Sequence, residues 1–357
     1  MPAIVACSKA LQLLTYNETS EKFQLHSDAL ILISDLKQPV LLVSGVGDAR
    51  IGKSTSLNFV RNHWVNPDGR QFNDVFPTSD SLERCTQGIW ISVLKLKNGS
   101  VLLMDVEGTD LGNDAVTDHL SIFTALMSSG MVVFARDTVT NHVNDFLYRV
   151  SRLSELIFDK KELTLKNFPR LRVALRTQLN PPSRKKLKDF VVKALIRPVH
   201  KDGLDKNREI IATHFPEEHI EASLVPFVSN KSFFTDYESL KKIGYVEGMV
   251  KFTKELKMFP WKRTLGGSLM DGFHLNLLAT KLADAMNEKS WLEFGNVYLN
   301  VEKHVCAGSY EKHLKPLLNE TADVIDHEKK ERLEVFDEGC ALEDIRNQTR
   351  VELQVCI

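Results

Sequence analysis

Val40-Leu-Leu-Val-Ser-Gly-Val-Gly-Asp-Ala-Arg-Ile-Gly-Lys-Ser-Thr-Ser56 joins a short apolar run to a glycine-framed loop and the start of a helix. Gly47, four spacers, Gly52, Lys53 and Ser54 have the P-loop spacing, and each residue type has a physical reason to stand there. The glycines let the backbone curl so that successive N–H groups point at phosphate oxygens. The helix that follows adds the positive end of its dipole. Lys53 is placed to meet the outer phosphates and Ser54 to ligate magnesium. The pattern predicts a nucleoside triphosphate cradle made of Gly47, Asp48, Ala49, Arg50, Ile51, Gly52, Lys53, Ser54 and Thr55.

Residues 40–43 read as a buried strand bounded by Pro39 and Gly45, and Leu57, Val60 and Trp64 share one face of the next helix. Upstream, residues 11–16 and 23–25 form a hairpin about a polar turn at 17–20, followed by a short helix through 29–36. Downstream, strands at 89–97 and 101–105 are turned by Asn98-Gly99. Helices at 119–129, 144–158, 186–196 and 208–214 then alternate with strands at 131–135, 171–176 and 223–228, and helices at 245–259 and 268–287 follow. This alternation predicts an α/β fold of the P-loop NTPase type, a mostly parallel sheet with helices on both faces and the ligand at the carboxyl ends of the strands. Residues 1–287 make that domain. Residues 288–357 read as a charged α-helical segment in which Tyr310, Leu314, Leu317, Leu318, Thr321, Val324 and Ile325 form one apolar stripe. A core face against a neighbouring helix is the simpler reading of the stripe, and a docking face for a partner chain the alternative. Trp90, Trp261 and Trp291 read as packing residues.

With 357 residues and 43 % hydrophobic content the chain has enough apolar side chains for a sizeable core. A formal net charge of −1 excludes the long-range field of a general nucleic-acid binder. The basic run Arg184-Lys185-Lys186-Leu187-Lys188 reads as the solvated face of a helix start, with contact to phosphate or to an anionic membrane surface as the alternative. Five cysteines, odd in number and without metal-ligand spacing, point to a reducing compartment, so a cytoplasmic setting is expected. No apolar run approaches the roughly eighteen residues of a membrane span.

A triphosphate site also needs a carboxylate-bearing strand end for magnesium and a sensor of the terminal phosphate. Val101-Leu-Leu-Met-Asp-Val-Glu-Gly108 ends an apolar strand in Asp105, which accepts from magnesium-bound water, and Gly108, whose N–H faces the γ-phosphate. In Cys85-Thr86-Gln87-Gly88-Ile89-Trp90, Thr86 is the candidate switch threonine, its hydroxyl a magnesium ligand and its backbone a reader of the γ-phosphate. The metal ligands expected are Ser54, Thr86 and Asp105.

Together these segments resemble the large GTPases of the guanylate-binding protein and atlastin branch of the dynamin superfamily. The switch sequence at 86–90 and the strand end at 102–108 carry the resemblance, and it continues through 123–129, 167–176 and 264–269. The resemblance implies GTP as ligand and substrate, Mg2+ as cofactor, and a homodimer formed through the G domain when nucleotide is bound. It implies that Arg50 acts as an arginine finger supplied from within the same chain, and that Lys53, Thr86 and Glu107 complete the hydrolytic set. Residues 288–357 look like the beginning of that family's helical domain, cut short. Two positions depart from the family. Where relatives carry an Arg-Asp pair that reads guanine, this chain has Arg176-Thr177, and a hydroxyl accepts weakly where a carboxylate accepts twice. Arg84-Cys85 stands before Thr86 where relatives carry a small polar residue and a histidine. The expectation is a magnesium-dependent GTPase; a nucleotide-binding interaction module with slow or absent turnover is the alternative, and atlastin-like membrane remodelling a more distant one.

Overall fold

The computed structural model describes residues 5–6, 9–37, 39–69, 73–78, 88–106, 108, 114–157, 168–177, 184–199, 203–227, 237–264, 267–288, 301, 303, 307 and 310–321. The expected P-loop strand is β4 (Val40–Gly47), buried along its whole length. Its neighbours follow from the alternation of apolar residues: β6 (Gly99–Val106), β7 (Gly130–Arg136), β8 (Arg170–Thr177) and β9 (Ile220–Pro226). These five strands pair in parallel in the order β6-β4-β7-β8-β9. The flank beyond β6 is antiparallel, formed by β5 (Ile89–Leu96), β2 (Leu11–Asn17) and β3 (Lys22–Leu25), with the two-residue β1 (Val5–Ala6) also on β5. The hairpin at 11–25 turns where the Asn17 side chain accepts from the Thr19 and Ser20 N–H groups at 2.9 and 3.1 Å.

Strand residues send alternate side chains to opposite faces, and each face of this sheet has its own core. Val40, Leu42, Met104, Met131, Val133 and Val173 point to one side, where they meet α1 (Ser27–Ser34), α3 (Asp114–Met127), α4 (Asn141–Ile157), α5 (Arg184–Ile196), α6 (Asp205–His214) and α9 (Gly272–Asn287). Leu41, Val43, Leu103, Val132 and Phe134 point to the other, beneath α2 (Lys53–Val65) and α8 (Tyr245–Leu256). Leu57, Val60 and Trp64 of α2 all lie in this second core, as their spacing predicts. Lys185 and Lys186 are exposed and Lys188 pairs with Glu221 at 3.1 Å, so the basic run is the solvated face of α5.

Several expectations need correction. Strand β9 starts three residues before the expected position, because Glu221 interrupts the apolar pattern although its carboxylate simply faces Lys188. It ends at Pro226, which has no N–H to continue a ladder. The six-residue helix α7 (Tyr237–Lys242) is too short to show a helical period and precedes Gly244 in the left-handed region. Trp261 is exposed rather than packed, whereas Trp90 is half-buried against the α2 core; Trp291 lies outside the described residues. In the apolar stripe, Tyr310, Leu318 and Thr321 are exposed and Leu314 and Leu317 half-buried, so among the described residues the stripe is not a core face; Val324 and Ile325 lie outside them. No described helix is long and apolar enough to cross a membrane.

Candidate nucleotide site

The cradle forms because β4 and α2 cannot be joined without a tight reversal, and the sequence puts glycine at both ends of it. Gly47 has φ +131° and lies in register with Phe134 of β7; a Cβ there would sit 2.5 Å from the Phe134 carbonyl oxygen. Gly52, with φ +82°, is the N-terminal boundary of α2, and a Cβ there would enter the Arg176 guanidinium. A side chain at either position would be strained and would fill space next to the loop. Between them Arg50 also adopts a left-handed conformation, φ +59°, and is exposed at the turn. Asp48, Ala49 and Ile51 are half-buried, as are Ser54 and Thr55 in the first turn of α2.

Lys53 is buried and folds back over the loop, donating from Nζ to the Gly47 and Asp48 carbonyls at 2.9 and 2.8 Å. The ammonium is thereby fixed above the start of the curl, beside the N-terminus of α2, and both place positive potential at one point. Asp105, fully buried at the end of β6, is in parallel register with Gly45 of β4. Gly108 closes on the same loop: a Cβ on it would lie 2.6 Å from the Ala49 nitrogen. The strand end at 105–108 and the cradle are thus packed against each other. Ser54, half-buried, and Asp105, fully buried, offer hard oxygen donors of the kind magnesium takes. Thr86 and Glu107, the other expected members of the hydrolytic set, and the Arg84-Cys85 departure lie outside the described residues.

At the far edge, Arg176 of β8 is buried and its Nη1 donates to the Ile51 carbonyl of the loop. Burial pushes this guanidinium below its ordinary value; Tyr245 opposes that shift, and Arg136 adds to it. Tyr245, buried behind it, is pushed up to about 12 by the same exclusion of water, with Arg176 pulling the other way. Thr177 follows at the half-buried end of β8. The Arg176 and Arg136 guanidiniums lie over the Phe227 ring, 5.4 and 5.1 Å from its centre. Sequence reasoning names Arg176 and Thr177 here but misses Arg136 and Phe227, which reach the same spot only through the parallel register.

Asn58 is missed as well. Buried on α2 between Leu57 and Phe59, its side chain accepts from the Val75 and Phe76 N–H groups at 3.0 and 2.7 Å. Its amide donates to the Phe76 carbonyl at 3.0 Å and to Asp74 at 3.2 Å. It pins the connection that leaves α2 on the way to residue 86. A polar amide in an apolar helical stripe is the available signal. A cavity of about 490 Å³, lined by His63, Asn66, Tyr237 and Val250 among others, lies at the opposite end of α2 and touches none of the cradle residues.

The architecture and the cradle have counterparts. Residues 20–175 match the family described as guanylate-binding protein, N-terminal domain. Over these residues the chain is guanylate-binding-protein-like. Human guanylate-binding protein 4 is 27 % identical over 143 residues, 38 % of this chain and 21 % of that protein. Human guanylate-binding protein 7 is 32 % identical over 140 residues, covering 37 % and 20 %, and human guanylate-binding protein 5 is 28 % identical over 146 residues, covering 39 % and 23 %. The guanylate-binding-protein-like segment therefore spans about a fifth of the length of these relatives. It takes in the cradle, the 105–108 strand end and β8 as far as Leu175, and stops one residue short of Arg176.

Proposed function

We propose that the chain binds GTP with magnesium and hydrolyses it, with residues 1–287 as the G domain and 288–357 as the start of a helical segment. The observation that carries this reading is the closure of Gly108 on Ala49, which brings a magnesium-type strand end against a lysine-anchored phosphate loop. Lys53 and the first N–H groups of α2 would grip the β- and γ-phosphates. Ser54, Asp105 and Thr86 would hold the metal, which when bound draws negative charge off the phosphates. The Gly108 N–H would read the γ-phosphate, and Glu107 would order the attacking water. Arg50, exposed on the loop, is the cation placed to swing onto the phosphates when two G domains pair, neutralising charge that develops in the transition state. Arg176 would meet the base. The protein in this account positions and neutralises rather than supplying covalent chemistry. Five cysteines, odd in number and without metal-ligand spacing, support a cytoplasmic setting.

Phosphate release in the steady state, measured beside binding of fluorescent GTP, GDP and ATP, tests the reading. Arg50→Ala is expected to bind GTP like the parent and to release phosphate at least tenfold more slowly. An unchanged rate in Arg50→Ala removes its catalytic role. A second reading, a nucleotide-binding interaction module, is favoured by Thr177 and by Arg84-Cys85; tight GTP binding with negligible release in the parent chain would establish it instead.

A further inference from the structure

We propose that Asp137 supplies the carboxylate that reads the hydrogen-bond donors of the purine, the anion that Thr177 does not provide; the proposal rests on the reading of this cleft as a purine-nucleotide site. Arg136 and Arg176 are register partners in the parallel β7–β8 pair, and the Asp137 N–H continues the ladder to the Arg176 carbonyl at 3.1 Å. Asp137 therefore stands beside Thr177 on the carboxyl edge of the sheet. Its backbone is in the left-handed region, φ +57°, which aspartate tolerates better than most residues but still at a cost. A non-glycine residue kept in that conformation at the rim of a site is a reason to look for a task.

The surroundings supply one. The Asp137 carboxylate is 3.9 Å from Arg136 Nε, with both side chains more than half exposed, so the pair is loose and free to re-form around a ligand. Arg136 shares the Phe227 ring with Arg176, and Arg176 in turn donates to Ile51 of the phosphate loop. One continuous set of contacts thus runs from the carboxylate to the cradle. Guanine offers acceptors at O6 and N7 and donors at N1 and its exocyclic amino group. Guanidinium groups serve the acceptors and have nothing to offer the donors; a carboxylate accepts two hydrogens and gives none. Among the described residues, Asp137 is a carboxylate that the register brings beside Thr177 on this edge.

Affinities for GTP, for ITP, which lacks the exocyclic amino group, and for XTP, which carries a carbonyl in its place, test the assignment on the full chain with magnesium. The parent is expected to favour GTP over ITP by about tenfold or more, the effect of one charge-assisted hydrogen bond. Asp137→Asn keeps the shape and the tolerance for left-handed backbone; it should lose that preference, weaken ITP less than GTP because hypoxanthine presents only the N1 hydrogen to the carboxylate, and gain XTP, because the amide donates to the xanthine carbonyl. Asp137→Gly, which accepts the same backbone freely, should lose the preference too. Thr177→Asp added to Asp137→Asn should restore it. A parent that binds GTP and ITP equally, or an Asp137→Asn chain that still prefers GTP, overturns the role of Asp137 and leaves the triphosphate site standing. A parent that binds none of the three overturns both readings.

Discussion

The candidate phosphate end is made from two stretches on neighbouring strands, residues 47–54 from the end of β4 and Asp105 with Gly108 at the end of β6, whereas the proposed base end gathers Arg136, Arg176 and Phe227 from the tips of three strands far apart in sequence. The first depends on backbone: glycines with positive φ, a helix N-terminus and a lysine folded onto its own loop. The second depends on side chains and can exchange its partners. The contrast shows which part of such a site tolerates substitution. A Cβ added at Gly47 meets the Phe134 carbonyl at once, while the proposed base end would lose a carboxylate at one strand tip and keep cations, a ring and another carboxylate at the tips beside it.

Substitutions at the two ends should therefore differ in kind. Gly47→Ala is expected to have the largest effect, because the new Cβ meets the Phe134 carbonyl at 2.5 Å on a backbone with φ +131°. Destabilisation of about 2–4 kcal/mol should appear in urea unfolding together with loss of nucleotide binding; a parent-like midpoint would mean that the β4–β7 ladder is not closed as described. Ser54→Ala should leave the fold intact and weaken the magnesium dependence of GTP binding by about tenfold or more, read from titrations with and without the metal. Arg176→Lys keeps the charge and loses the planar fork that reaches Ile51. Its expected cost is about tenfold in GTP affinity with little change for inorganic triphosphate, and an equal loss for both would place Arg176 with the phosphate machinery instead.

Lys262 gives the smallest effect and serves as the control. It lies fully buried at the amino-terminal pole of the sheet, where its backbone N–H donates to the Val40 carbonyl and its Nζ donates to the Leu126 and Ser128 carbonyls at the end of α3. Burial pushes its ammonium down to about 7, against an ordinary value near 10.4 when unfolded. Between those values the unfolded chain holds more protons, so stability should rise as pH increases from about 7 towards 10. Lys262→Met should flatten that rise in thermal unfolding without altering the preference among GTP, ITP and XTP. A shift in base preference would mean that the two poles of the sheet are coupled.

The same contrast governs what the sequence reveals. The strand, curl and helix of residues 40–65 are contiguous, and their glycines and lysine are dictated by local geometry, so spacing alone identifies them. Asp105 is legible because an apolar strand delivers it in the right order after the loop. Arg136, Phe227 and Asp137 are not, since nothing in the local sequence tells which strand tips lie side by side; that is fixed by the order β4-β7-β8-β9 and its register. Strand β9 itself is displaced in a reading of apolar runs because Glu221, an ion-pair partner of Lys188, looks like a break. The stripe at 310–321 shows the reverse error, a helical period taken as burial where Tyr310 and Leu318 are exposed.

Calorimetric titration of the folded chain with magnesium and GTP bears most directly on the cradle. A saturable, single-site heat is expected, and it should disappear in Lys53→Ala while that variant keeps the parent's circular dichroism. A folded parent chain that gives no heat with any purine triphosphate, or a Lys53→Ala chain that binds as the parent does, would contradict it.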